Sequence, residues 1–376
     1  RLVFDATGID LSPVLALYET TTNRTHLEGH GDLRVFGADP SGTVHVVAAS
    51  DVPGLDSSFM LNLDGTLNRN SLSIDLKSDY GGRLVLTGSA DVPVTAEACK
   101  LVAPDRIAAL KGQASLTGDL AVLRTAARAY GHDISGLIDA SASLAGTLDT
   151  PAYKAKASLR DGTYELGSMG FQLSAVSADA DYDGDVLNVT GKASAPGGGS
   201  FSLDGRLAGE RTDLEADFQN LLLYNRDGDN ARGTGKLVLS DSADARNLSG
   251  DVTITQARYS LDNLPSSRPH ALDVRWTDDP PAEPGTSRLR RTLALDIAIN
   301  ADRRVYVTGR GLDSEWKADL KLTGTPAAPR LNGTTTLIRG DLDLAGRPFV
   351  FDTGTITFDG PVNRAQINLS ADRTVN

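Results

Sequence analysis

The sequence predicts an all-β protein: an elongated, mostly antiparallel sheet curled into an open trough with an apolar interior, carrying one or two short helices. Three observations predict it. Apolar and polar residues alternate with period two along almost the whole chain, Gly- and Asp-containing turn signals recur between the alternating runs, and one long stretch recurs later in register.

Composition sets the frame. A chain of 376 residues with one cysteine, Cys99, has no internal disulfide framework or Cys-based zinc cluster, so burial and strand pairing must hold it together. A formal net charge of -12 argues against nucleic acid, whose binding depends on Lys and Arg neutralising phosphates, and against adsorption to an anionic membrane face. No apolar run approaches the roughly 18–20 residues that span a bilayer. The opening at Arg1 and the stop after "AQINLSA" read as an excerpt of a longer chain, with any anchor or targeting segment outside it.

Taken in order, the elements follow one grammar. "HLEGH" puts His26, Glu28 and His30 on one strand face. "LDG" at Leu63–Gly65, "RDG" at Arg160–Gly162, "YDG" at Tyr182–Gly184 and "FDG" at Phe358–Gly360 carry hairpin-turn chemistry. "GGRLVLTG" from Gly81 matches "GGSFSLDG" from Gly198. "DLAVLRTAARAYG" opens on Asp119, closes on Gly131 and puts Leu120, Leu123, Ala127 and Tyr130 on one face, predicting a helix of about three turns over 119–131. "APDRIAALKG" is a weaker helical candidate. "GLIDASASLAG" and "LALDIAIN" alternate, with Ile138, Ala140, Ala142 and Leu144 on one face of the first and Leu293, Leu295, Ile297 and Ile299 on one face of the second. "TDDPPAEPGTSRLRR" at 277–291 has too many prolines for a ladder and reads as an exposed loop.

The recurrence is specific. In "LAGTLDTPAYKAKASLRDGTYELGSMGF", the steps from Gly146 to Pro151, Gly162 and Phe171 are 5, 11 and 9 positions. In "LTGTPAAPRLNGTTTLIRGDLDLAGRPF", the steps from Gly324 to Pro329, Gly340 and Phe349 are again 5, 11 and 9. "GDVTITQARYSLDNLP" from Gly250 is a partial third copy, with Tyr259 at the place of Tyr164 and Leu342. Typical strand lengths give about 20–25 strands, and at about 4.8 Å per strand an uninterrupted sheet runs on the order of 100 Å. A parallel β-helix is the rival architecture, but its rungs repeat at shorter intervals, and the hairpin signals favour an antiparallel meander.

No reactive constellation emerges, and the chain reads as a non-enzyme without a cofactor. There is no G-x-S-x-G elbow, and Cys99 has no His partner nearby in sequence. Asp179, Asp181, Asp183 and Gly184 match the opening of a calcium loop, but Thr190 stands where that loop needs a bidentate Glu, and strand alternation accounts for the same carboxylates. "NRDGDNARG" is a weaker version. "HLEGH" is a zinc-like arrangement that lacks a third imidazole at suitable spacing; His45, His132 and His270 are scattered.

A sheet this long cannot leave its apolar face in water without a purpose. Leu144, Leu173, Val189, Phe201, Leu203, Phe218, Leu295, Ile297, Leu320, Phe351 and Phe358 are the inward positions against which acyl chains would lie. An ordinary sheet core requires the same residues. Two other readings fit the pattern: a scaffold that templates strands by β-augmentation along an exposed edge, and an adhesin-like β-protein with a dry core.

With the repeats "LAGTLDTPAYKAKASLRDGTYEL" and "LTGTPAAPRLNGTTTLIRGDLDLAGRPF", the "GDVTITQARYSLDNLP" segment and "FVFDTGTITFDG" in hand, the chain resembles the C-terminal part of the TamB family, within the AsmA-like group of repeating β-groove lipid-transfer proteins. The resemblance divides the chain into looser β-groove repeats over 1–118, the short amphipathic helix over 119–131, and repeats resembling the family's C-terminal domain over 132–376. It implies a periplasmic, taco-shaped sheet that carries phospholipid acyl chains between inner and outer membranes and supports outer-membrane protein assembly. It further implies a TamA-like outer-membrane barrel as partner and an inner-membrane anchor outside this stretch. The family carries no catalytic residues to transfer.

Overall fold

Alternating side chains and β-branched residues leave the backbone one way to satisfy its polar groups, which is lateral pairing. A computed structural model of the chain describes residues 1–10, 24–51, 59–241, 245–263, 292–344, 346–361 and 364–372. Twenty-one strands form an open, mostly antiparallel sheet, within the range expected from strand length.

They fall into two units, Arg1–Ser168 with Gln172–Ser194 and Asp204–Gly209, and Met169–Phe171 with Ala195–Leu203 and Glu210–Asn376. The first unit opens with β1 (Leu2–Asp10), β2 (Arg24–Arg34), β3 (Ser41–Asp51), β4 (Phe59–Leu67), β5 (Ser71–Tyr80) and β6 (Leu84–Thr95), each antiparallel to the next. A two-residue strand, β7 (Ala103–Pro104), touches the end of β6, which then pairs with β8 (Lys111–Asp119). β8 pairs with β9 (His132–Gly146), β9 with β10 (Pro151–Leu166), and β11 (Phe171–Tyr182) with β12 (Val186–Ala195). β13 spans Gly199–Ala208.

In the second unit β14 (Arg211–Arg226), β15 (Asp229–Asp241) and β16 (Arg246–Ser260) form an antiparallel run. β16 then pairs with β17 (Leu293–Gly309) in parallel, the only parallel pair among the described pairings. β17, β18 (Leu312–Thr325), β19 (Ala328–Asp343), β20 (Pro348–Pro361) and β21 (Ala365–Asp372) resume the antiparallel order.

The sequence repeat is a structural repeat. Pro151 lies opposite Gly146 across the β9–β10 hairpin, and Pro329 lies opposite Gly324 across the β18–β19 hairpin. Nine to eleven residues past each proline the ladder is disturbed: the register shifts around Asp161–Gly162 in the first copy and around Ile338 in the second.

The turn motifs divide. Asp183–Gly184 is a turn, but Leu63–Gly65 and Phe358–Gly360 lie inside β4 and β20, and Asp161–Gly162 is a bulge inside β10, with Asp161 at φ +51°. Pairing partners on both sides outweigh the local turn preference of Asp-Gly. Two further glycines bend strands: Gly250 in β16 (φ +148°) and Gly333 in β19 (φ +123°) occupy a region closed to side chains, and a β-carbon there would lie 2.0 Å from Lys236 O and 2.2 Å from Asp319 O.

The expected helix is shorter and differently faced. Leu120–Leu123 form a 3-10 turn and α1 covers Arg124–Ala129. The Asp119 carboxylate accepts the Ala121 N–H at 2.8 Å, which supplies the cap, and Gly131 follows at φ +82°. The tighter first turn changes which side chain points inward: Val122 is buried, whereas Tyr130 is 83% exposed and Leu123 is on the surface. Asp133 clamps the helix through Arg124 and Arg128. The second candidate, "APDRIAALKG", is not helical. It contributes β7, a bend in which Asp105 accepts the N–H groups of Ile107 and Ala108, and the first residues of β8. The proline-rich loop at 277–291 and His270 lie outside the described residues.

Candidate functional site: a continuous apolar face

Directly paired residues in a sheet project to the same side, so the pairing register traces each face. In the second unit one row runs Phe218, Gly235, Val252, Ile299, Leu320, Gly333, Phe358, Ala365 across β14 to β21. The neighbouring rows are Ala216, Leu237, Gly250, Ile297, Leu322, Leu331, Gly360 and Leu214, Leu239, Leu248, Leu295, Gly324. The row between the first two, on the other side, is Asp217, Lys236, Asp251, Ala298, Lys321, Asn332, Asp359. One face is therefore hydrocarbon and the other is charged and amide, with no exchange over the strands traced.

The first unit repeats the design. Phe4, Gly31, Val44, Gly65, Ile74, Ala90, Gly112, Leu144 and Tyr153 form one row across β1–β6 and β8–β10. In both units aromatic residues of these rows stand beside glycine, as Phe4 beside Gly31, Phe218 beside Gly235 and Phe358 beside Gly333, which gives the rings room to lie over a neighbouring backbone. Around Leu86, Leu116, Ala140, Ala157 and Leu187 the small residues leave an apolar cavity of about 270 Å³. A larger cavity, of about 790 Å³, lies on the polar face over Thr87, Ser89, Gln113 and Ser115, walled by Lys77, Lys154 and Lys156.

Bulges keep the apolar face continuous where strict alternation would break it. Phe351 and Phe358 are seven residues apart, which should put them on opposite faces. The register shift at Asp352 pairs Phe351 with Ala371 and returns it to the side of Phe358 and Ile356. The shift around Asn220 likewise keeps Leu221 beside Phe218, opposite Gly233 and Gly235. On β11, the irregularity between Ser174 and Ser177, with Ala175 at φ +47°, does the same for Leu173.

The eleven sequence-derived positions are thus placed as follows. Phe218, Leu295, Ile297, Leu320, Phe351 and Phe358 share the apolar face of the second unit; Phe201 and Leu203 are on β13 in that unit. Leu144 lies on the apolar face of the first unit, as does Val189, paired with Ala180; Leu173 is on β11 in that unit. Phe218 and Ile297 are buried, at 4% and 8% exposure; the other nine are half-buried. The chain exposes 24372 Å², where a compact protein of its mass would expose about 14,000 Å².

Sequence reasoning missed the best-buried residues of this face. Trp316, at 6% exposure, pairs with Leu337 and Val305, and its Nε1–H donates to Ser314 Oγ at 2.9 Å, which in turn donates to the Val307 carbonyl. Leu221 and Ala301 are also buried on this face, and Leu222, paired with Arg232, is buried on the other. All stand next to bulges, where the period-two signal is interrupted.

The opposite face carries the ionisable groups. Glu315 accepts the Arg304 backbone N–H at 3.1 Å and the Arg339 Nε–H at 2.8 Å, and these two contacts hold its carboxyl below the usual glutamate range. Asp179 and Asp181 lie on the polar side of β11, where Asp181 pairs with Lys156 at 3.0 Å. Asp183 accepts the N–H groups of Val186 and Asp185 in the hairpin turn, which lowers its carboxyl pKa. These carboxylates are arranged as a strand running into a turn. In "NRDGDNARG", Asp227 and Gly228 both have positive φ and close the β14–β15 hairpin.

No helix of the described residues is long and apolar enough to cross a membrane. Comparison with curated proteins and with solved structures returns no match. Residues 188–376 match the family described as the TamB C-terminal domain, a stretch that covers β13–β21 and thus most of the second unit's apolar face. The chain belongs to the TamB family.

Proposed function

We propose that the chain is a lipid conduit: phospholipid acyl chains lie along the apolar face and head groups remain at the solvent boundary, in a segment that moves phospholipids between inner and outer membranes. The carrying observation is that this face is continuous in register through the described pairings of β14–β21 while four of its six candidate positions, Leu295, Leu320, Phe351 and Phe358, stay half-buried. An ordinary core would bury them more completely. Acyl chains supply the missing cover, at about 0.8 kcal/mol per buried methylene, without any polar recognition site. Head-group selectivity is accordingly low, and the function is binding and transfer, not catalysis.

Family membership supports a role in the bacterial translocation and assembly module, in association with an outer-membrane TamA partner. A periplasmic setting, with acyl chains on the apolar face of each unit, belongs to the same proposal.

Lipid extraction and mass spectrometry of the purified protein test the conduit. Co-purifying phospholipid near or above one molecule per chain supports it. A lipid-free protein that also fails to take up fluorescent phospholipid from vesicles overturns it.

A further inference from the structure

The polar face of the first unit carries a row of titratable groups that lipid binding does not use. Asp5, His30, His45 and Asp64 are successive cross-strand partners on β1, β2, β3 and β4. The imidazoles of His30 and His45 lie 5.3 Å apart between centroids, tilted by 44°. His45 Nδ1 is 2.6 Å from Asp64 Oδ1.

We propose that His30 and His45 chelate one borderline transition-metal ion, Zn²⁺ or Cu²⁺, with Asp64 as the positioning residue for the His45 ring. The separation fits. With metal–nitrogen bonds of about 2.0–2.1 Å and a tetrahedral angle, two imidazole centroids bound to one zinc ion lie about 5.2 Å apart. The carboxylate contact also fits, because a metal-binding imidazole hands its other N–H to an acceptor. With its Nδ1–H donated to the Asp64 carboxylate, the His45 ring presents its Nε2 lone pair to the metal. Imidazole is a good ligand for both ions.

The partner of His30 is therefore across the strand and not along it. Glu28 and His26 share the face of His30 but lie two and four residues away, about 7 and 13 Å at the strand rise, the farther well beyond one coordination sphere. Among the described residues no three His, Cys, Asp or Glu side chains converge on one point, so two imidazole nitrogens bind and solvent fills the remaining positions. His30 is exposed and His45 half-buried, which leaves the ion reachable from solvent.

The test is calorimetric titration of the full chain with Zn²⁺, together with electron paramagnetic resonance of the Cu²⁺ form. The expected result is one ion per chain with two-nitrogen coupling in the copper spectrum. H30N and H45N should each abolish both, and D64N should weaken binding about 10–100-fold while retaining the two-nitrogen spectrum. Unchanged circular dichroism and thermal midpoints in the variants exclude unfolding as the cause. Wild-type binding in H30N or in H45N, or a site that survives in the double variant, overturns the proposal.

Discussion

The Phe218 ring lies across Gly235: a β-carbon on Gly235 would sit 2.8 Å from Phe218 Cζ and 2.3 Å from the Asp251 carbonyl. The same relation holds between Phe4 and Gly31, where an added β-carbon would come within 2.5 Å of the ring. The glycines are what allow an aromatic side chain to lie flat on a single-layer sheet. G235A should therefore destabilise the protein by about 1–3 kcal/mol, seen as a lower urea midpoint. F218A/G235A should recover only part of the loss from the ring collision, because the backbone contact remains, so the two changes will be non-additive.

A charge on the apolar face should separate groove from core. Leu295 is half-buried in the row between Leu248 and Gly324. L295K is expected to keep its far-UV circular dichroism and to lose bound phospholipid roughly tenfold or more, since an ammonium beside acyl chains is poorly solvated. Ile297, which is buried, should respond differently: I297K should lower the unfolding midpoint as well. Full lipid retention by folded L295K counts against the conduit.

Acid should weaken the contact at Glu315. Its carboxyl titrates below the ordinary value of 4.5 when folded, so at pH values just under 4.5 the unfolded chain binds more protons. The stabilisation is complete above that ordinary value and is lost as the pH falls through the folded one. E315Q should be less stable than the parent at pH 7, and the difference should shrink as pH drops below 4.5 in denaturant titrations at a series of pH values.

Asp119 caps the 3-10 turn through Ala121 and also pairs with Arg83 at 3.1 Å. D119A should cost about 0.5–2 kcal/mol. Amide exchange should rise first at Ala121 and through α1, while β9 and β10, paired along their length, keep their protection.

Much of the fold was legible because alternation and side-chain geometry report the same thing. "LALDIAIN" puts Leu295 and Ile297 on one side whatever they pack against, and the matched Gly–Pro spacings at 146/151 and 324/329 are matched hairpins. Asp-Gly pairs misled at Leu63–Gly65 and Phe358–Gly360, because a turn preference that is local yields to pairing partners on both sides. The helix over 119–131 kept its cap and lost its predicted face, since a 3-10 turn rotates each residue by a different angle from an α-turn.

The sequence by itself determined which residues can share a face, because the period of a strand is fixed by covalent geometry. Tertiary structure decided the rest. Bulges at Asn220 and Asp352 choose which phase of the alternation continues, pairing sets Trp316 beside Leu337, and register brings His30 to His45 fifteen residues away in sequence, by 45 − 30. Each depends on the neighbouring strand, and a strand's own sequence does not encode its neighbour's position.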